Sequence, residues 1–182
     1  GLRVGEVARF CVGDVDLTRD LLIVRQTKFY KSRLVPFGPR IHAVLGEHLA
    51  RRTQDVEPLL PATPLFSLRG GRSVHAGTIS QTFHHLVPHL DLSVPEGTAA
   101  PRVHDLRHAF AVGTLLRWYR SGVDPGARLL QLSTFLGHVS PVSTAVYLTI
   151  TTELLGEANQ RFERWARPVL DAHGVVEVAR RL

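Results

Sequence analysis

Lys28 and Lys31, in the stretch RQTKFYKSRLVPF, are the only two lysines among the chain's 22 Lys and Arg residues. An ammonium can be driven to give up its proton by desolvation or by cationic neighbours, whereas a guanidinium stays charged at any ordinary pH. Two lysines within four residues, in a chain that otherwise uses arginine, therefore suit a step that needs a cation able to give up its proton. For the pair alone, a solvated turn is the plain alternative. Three other groupings carry the same double reading. Arg3 and Glu6 in GLRVGE sit one helical turn apart, as a surface ion pair does. His104 and Arg107 in HDLRH lie three apart near a helix start, where either could face solvent. His138 and Tyr147 in LGHVSPVSTAVY could be a helix-end histidine and a half-buried core tyrosine.

The elements that must position these residues follow from periodicity. Leu2, Val7 and Phe10 predict a helix at the start, with strands near residue 15, over 21–26 and over 32–37. Lys28 and Lys31 then fall on or beside a hairpin turn. PRIHAVLGEHLARR reads as an amphipathic helix with Ile41, Leu45 and Leu49 on one side. Residues 53–74 are rich in Pro, Gly and Arg and read as loop, with one short strand near Leu65 and Phe66. A helix over about 78–87 is expected to stop at Pro88. VHDLRHAFAVGTLLRWYRSG is a helix closed by Ser121–Gly122, and Asp124–Pro125 opens one that Gly137 closes. Ser140–Pro141 opens a short helix carrying Tyr147. A last helix over about 152–166 stacks Leu154, Ala158, Phe162 and Trp165. The expected fold class is mainly α with a small antiparallel β-sheet, α+β.

The bulk numbers set limits. The chain has 182 residues, enough for one ordinary domain, and its 44% hydrophobic content predicts a packed core. Cys11 is the single cysteine, so neither an intramolecular disulfide nor a cysteine zinc site is possible. No apolar run is long enough to span a membrane. The formal charge of +6 and the pI near 10.4 favour a polyanionic partner.

Taken in order, GLRVGE, the lysine hairpin, HDLRH and LGHVSPVSTAVY resemble the catalytic domain of the tyrosine recombinases, the phage integrase family. The resemblance runs from Gly1 to about Ala166. It implies a DNA breaking-rejoining fold of helices around a small sheet, and a reaction on double-stranded DNA that uses no metal and no cofactor. Carried over position by position, it implies Arg3, Lys28, His104, Arg107, His138 and Tyr147 as catalytic residues, with Glu6 supporting Arg3. Arg3 and Arg107 would stabilise charge on the non-bridging phosphate oxygens. Tyr147 would attack phosphorus and hold the DNA as a 3′-phosphotyrosine. A free phenol has a pKa near 10, so it requires a neighbour, here His104, to accept its proton. His138 would donate to the phosphate, and Lys28 would protonate the leaving 5′-oxygen.

Lys31, Arg33, Arg69 and Arg72 are expected as contacts to the DNA backbone, with ordinary surface as the alternative for the last two. His84, His85 and His89 in HHLVPH are not expected to hold a metal, because Pro88 interrupts the helix and no fourth ligand is evident. Residues 1–182 read as a single catalytic domain without the helix and upstream DNA-binding domain that family members usually carry. Residues 152–182 form a helix and tail that would dock on a neighbouring protomer or fold back in cis. The resemblance further implies a homo-oligomer, a dimer on a site and a tetramer in a synapse, in the cytoplasm with the bacterial nucleoid. A recombinase for integration, excision or transposition is the leading expectation. A non-catalytic DNA-binding remnant and a type IB topoisomerase-like enzyme are the alternatives.

Overall fold

Leu22 and Val24 alternate with less buried neighbours, the two-residue period of a strand with one covered face. In the computed structural model, which describes residues 1–25, 32–55, 59–68, 71–92 and 96–148 with Gly156, Asn159, Gln160, Arg164 and Arg167, they lie in a three-stranded antiparallel sheet. Its strands are β1 (Val15–Asp16), β2 (Leu21–Val24) and β3 (Arg33–Pro36), in that spatial order. Leu22 pairs with Val15 on one side and Val35 on the other, and Val24 pairs with Arg33. The residues joining β2 to β3, Lys28 and Lys31 among them, lie outside the described residues.

The chain divides into two compact units: Gly1–His108 with Thr134–Gly137, and Ala109–Ser133 with His138–Leu182. The first unit holds the sheet. Its core joins Phe10, Leu22, Val24, Val35, Leu45 and Leu65, each buried side chain contributing about 1.5–3 kcal/mol over exposure. Leu45 and Leu49 reach that core from helix α2 (Pro39–Asp55), while Ile41 stays exposed. α2 also holds the segment after it, because His48 Nε2 and the Arg52 guanidinium both bond the Leu65 carbonyl.

That segment explains why the first helix is shorter than expected. Helix α1 spans only Val4–Val7. From Phe10 onward the backbone pairs with residues 61–65 instead: Leu65 N–H donates to Phe10 O, and Val12 N–H to Thr63 O. At Gly13 the chains touch so closely that a Cβ would meet Pro61 at 2.9 Å.

Helix α3 (Ala76–Leu86) starts two residues before the expected point, with His75 Nδ1 accepting the Gly77 N–H as an N-cap. Pro88 does not end the run outright but sits in a 3-10 turn over Val87–His89, where its missing N–H costs nothing.

Helices α4 (Val103–Arg120) and α5 (Pro125–Leu136) close as their glycines dictate: Gly122 and Gly137 have φ of 76° and 68°. Within the second unit, Ala111, Leu115, Leu116 and Leu132 are buried. Tyr147 follows helix α6 (Val142–Ala145) in a 3-10 turn over Val146–Leu148. Gly156, Asn159, Gln160, Arg164 and Arg167 are helical; the rest of the helix expected over 152–166, and the tail, lie outside the described residues.

Candidate active site

In the first unit the site grows from one short helix. Arg3 is the N-cap of α1 and Glu6 its third residue, so the carboxylate turns back to accept the Arg3 backbone N–H at 2.9 Å. The same carboxylate accepts Arg3 Nη1 at 3.0 Å. Arg33 then closes the other side of Glu6 with a two-pronged pair, Nη1 to Oε1 at 3.0 Å and Nη2 to Oε2 at 2.9 Å. Burial alone would push the Glu6 carboxyl up. The hydrogen bonds from Arg33 and the Arg3 N–H, with the Arg33 charge, outweigh it and hold the pKa at about 2.

Arg3 also donates from Nη2 to the Gly137 carbonyl at 2.9 Å, and its side chain remains 36% exposed. A guanidinium has five N–H groups, so Arg3 is both fixed and able to present donors outward. Arg107 is 3% exposed and is held by carbonyls at both terminal nitrogens, Gly1 O at 2.6 Å and Leu136 O at 2.7 Å. The two arginines thus come from separate helices and donate to neighbouring carbonyls at the end of α5.

His104, one turn before Arg107 on α4, lies edge-on to His108 with ring centroids 4.6 Å apart. Partial desolvation first, then the charges of His108 and Arg107, hold its pKa below the ordinary 6.5. Its neutral form, the one that accepts a proton, is therefore favoured at pH 7. A cavity of about 300 Å³, lined by Val4, Phe83, His84 and Arg102 among others, reaches His104. Asp105 accepts the N–H of Arg102, the residue before α4, and secures that helix start.

In the second unit the His138 and Tyr147 rings are nearly parallel, 13° apart, with centroids at 6.3 Å. Tyr147 is buried at 6% exposure. His138 Nδ1 lies 2.7 Å from the hydroxyl of Thr144, a residue with no exposed surface. A hydroxyl that donates to Nδ1 leaves the ring proton on Nε2.

Of the expected site residues, the first unit gathers Arg3, Glu6, His104 and Arg107, and the second holds His138 and Tyr147. Lys28, Lys31 and Arg69 lie outside the described residues. Arg72 is exposed beside the turn that Gly71 makes at φ 74°. Arg33 departs from expectation as a backbone contact. At 9% exposure its guanidinium faces Glu6 and the Phe135 carbonyl, because Arg33 shares the buried face of β3 with Val35 two residues on. Sequence reading also passed over Thr144, whose only signal was its place three residues before Tyr147.

The model of the phage integrase family matches residues 1–153. A candidate integrase/recombinase of Sinorhizobium fredii, y4rB, is 42% identical over 164 residues, covering 90% of this chain and 52% of its own length. The chain thus spans about half the length of the curated relatives it matches. Among solved structures, the XerA recombinase superposes with a TM-score of 0.70 at 25% identity, over 88% of this chain and 53% of that one. The Tn1549 transposon integrase, solved in complex with a circular intermediate DNA, shares the fold with a TM-score of 0.62 at 20% identity, over 89% and 54%.

Proposed function

The chain belongs to the phage integrase family, and on that premise we propose that it is the strand-transfer domain of a site-specific tyrosine recombinase acting on double-stranded DNA. Arg3 and Arg107 bind the non-bridging oxygens of the scissile phosphate, where charge builds as the nucleophile approaches. Losing one such oriented donor commonly costs ~10²–10³ in rate. The Tyr147 oxygen attacks phosphorus and its proton passes to His104. The bond from phosphorus to the 5′-oxygen breaks, and that oxygen takes a proton from Lys28. The products are a 3′-phosphotyrosine and a 5′-hydroxyl. Attack by the 5′-hydroxyl of another strand reverses the steps and frees Tyr147. One phosphodiester is exchanged for another, so no external energy source is required.

His138 donates to the phosphate from Nε2, with Thr144 on Nδ1 keeping the proton at that nitrogen. Lys28 is assigned through its match to the hairpin lysine of the family motif. Exchange between two duplexes requires several protomers, so self-association on DNA, a dimer per site and a tetramer in the synapse, belongs to the same proposal. So does a cytoplasmic location with the chromosome; no helix among the described residues is long and apolar enough to cross a membrane.

One observation carries the reading furthest. Two arginines far apart in sequence donate to the adjacent carbonyls of Leu136 and Gly137. Two guanidiniums anchored at one helix end can converge on a single phosphate, whose oxygens accept paired N–H groups.

The test is to incubate the full-length protein with sheared genomic DNA of its host and isolate SDS-resistant protein–DNA adducts beside Tyr147→Phe. Adducts that require Tyr147 and share an end sequence support the reading. Binding without adducts favours a non-catalytic remnant, and adducts that persist in the Phe variant mean another nucleophile.

A further inference from the structure

Three consecutive carbonyls end α5, and each accepts from a different arginine. Phe135 O takes Arg33 Nε at 3.0 Å, Leu136 O takes Arg107 at 2.7 Å, and Gly137 O takes Arg3 at 2.9 Å. The last carbonyls of a helix lack intrahelical partners and carry the negative end of its dipole, so this is a natural seat for cations. Two of the three belong to the phosphate grip proposed above. The third, Arg33, comes from β3 and has no such assignment.

Its surroundings define its work. Both terminal nitrogens of Arg33 are spent on the two Glu6 oxygens. Glu6 in turn holds Arg3 by its backbone N–H and by Nη1. Were Arg33 absent, Glu6 would be a buried carboxylate facing Arg3 as its remaining cation. It would then draw the Arg3 guanidinium inward as a counter-ion or take up a proton and release it. Either outcome disturbs the orientation of Arg3. The seat is also fitted closely to Arg33, since a Cβ on Gly137 would fall 2.5 Å from Arg33 Nη1 and 2.7 Å from its Cζ. Glycine at the cap of α5 therefore satisfies the positive φ and admits this guanidinium at once.

We propose that Arg33 is a positioning residue for the phosphate grip, tying Glu6 to the last turn of α5 so that Arg3 is held with donors facing the DNA. It acts through Glu6 and touches neither substrate nor reacting atoms. The role depends on the planar fork, which lysine cannot reproduce. This inference rests on the recombinase reading.

The experiment is a double-mutant cycle on the rate of covalent adduct formation, using full-length protein and sheared genomic DNA of the host. Arg33→Lys keeps the charge and loses the fork. Its adduct rate is expected to fall ~10–100-fold, the scale of a small misplacement of a catalytic group, with DNA affinity changed less than about threefold. In an Arg3→Lys background the same change should cost less than about threefold more, because the group it orients is already altered. Arg33→Gln runs in parallel in case the Lys variant fails to fold, with melting temperatures recorded for all. A merely structural role would instead multiply the losses in both backgrounds, and that result overturns the inference. So does an Arg33→Lys rate equal to the unmutated one. Absence of adducts from the unmutated protein would overturn the recombinase reading and this inference with it, a result distinct from the other two.

Discussion

At the scale of single residues, the geometry assigns different burdens to the two histidines. His104 is held below the ordinary histidine pKa, by partial desolvation ahead of the charges of His108 and Arg107, which suits a proton acceptor at neutral pH. His138 is instead fixed by a buried hydroxyl, Thr144 Oγ1 at 2.7 Å. Thr144→Val removes that hydroxyl at nearly constant volume. The expected result is an adduct rate lower by roughly tenfold, as the imidazole loses the hydroxyl that fixes its Nδ1 edge, with a stability loss of only about 1 kcal/mol. Single-turnover cleavage and thermal unfolding of the same variant separate the two effects. An unchanged cleavage rate would remove Thr144 from the mechanism. Residues of this kind are hard to find by reading. A threonine in STAVY has nothing in its type to distinguish it from a solvated helix-start residue until its burial is known.

At the scale of elements, α1 and β3 are joined through the Glu6 carboxylate, and that junction titrates. The folded pKa is about 2 against an ordinary 4.5, so the folded state binds fewer protons than the unfolded state between those values. The stabilisation is therefore complete above pH 4.5 and is lost as the pH falls toward 2, with a size on the order of 3 kcal/mol. Urea unfolding at pH 7, 5, 4 and 3 should show this loss. Glu6→Gln should be less stable at pH 7 and show a smaller decline over the same range. A decline of equal size in the Gln variant would place the acid sensitivity elsewhere. The sequence showed Arg3 and Glu6 one turn apart, which is the geometry of a weak surface pair. Arg33 makes the difference, and its inward direction was masked because Leu34 and Val35 are both apolar, leaving two phases open for the strand. Pairing with Val24 selects the phase that turns Val35 and Arg33 toward the core.

For the molecule as a whole, charge is the relevant property. A formal +6 predicts affinity for duplex DNA that falls steeply with salt, since each phosphate contacted releases condensed counter-ions. Arg72, exposed beside its turn, is a candidate contact that lies outside the catalytic set. Arg72→Ala should weaken binding evenly across DNA sequences and reduce the slope of log K against log salt by about 1. Titrations between 50 and 200 mM salt resolve such a change. An unaltered slope would make Arg72 ordinary surface.

Which residue types could do chemistry, their order along the chain, and the bounds of α4 and α5 were legible in the sequence alone. Asp124–Pro125, Gly122 and Gly137 act locally, through a backbone N–H that is missing or a φ that only glycine adopts at little cost, so their effect can be read without a fold. The length of α1 was decided by tertiary structure, because residues 61–65 compete for the backbone after Phe10. The same holds for the destination of Arg33 and for the meeting of three arginines on the end of α5. Those outcomes depend on partners that lie far apart in the chain. Residue type and local spacing carry no information about which distant carbonyl or carboxylate a guanidinium will find.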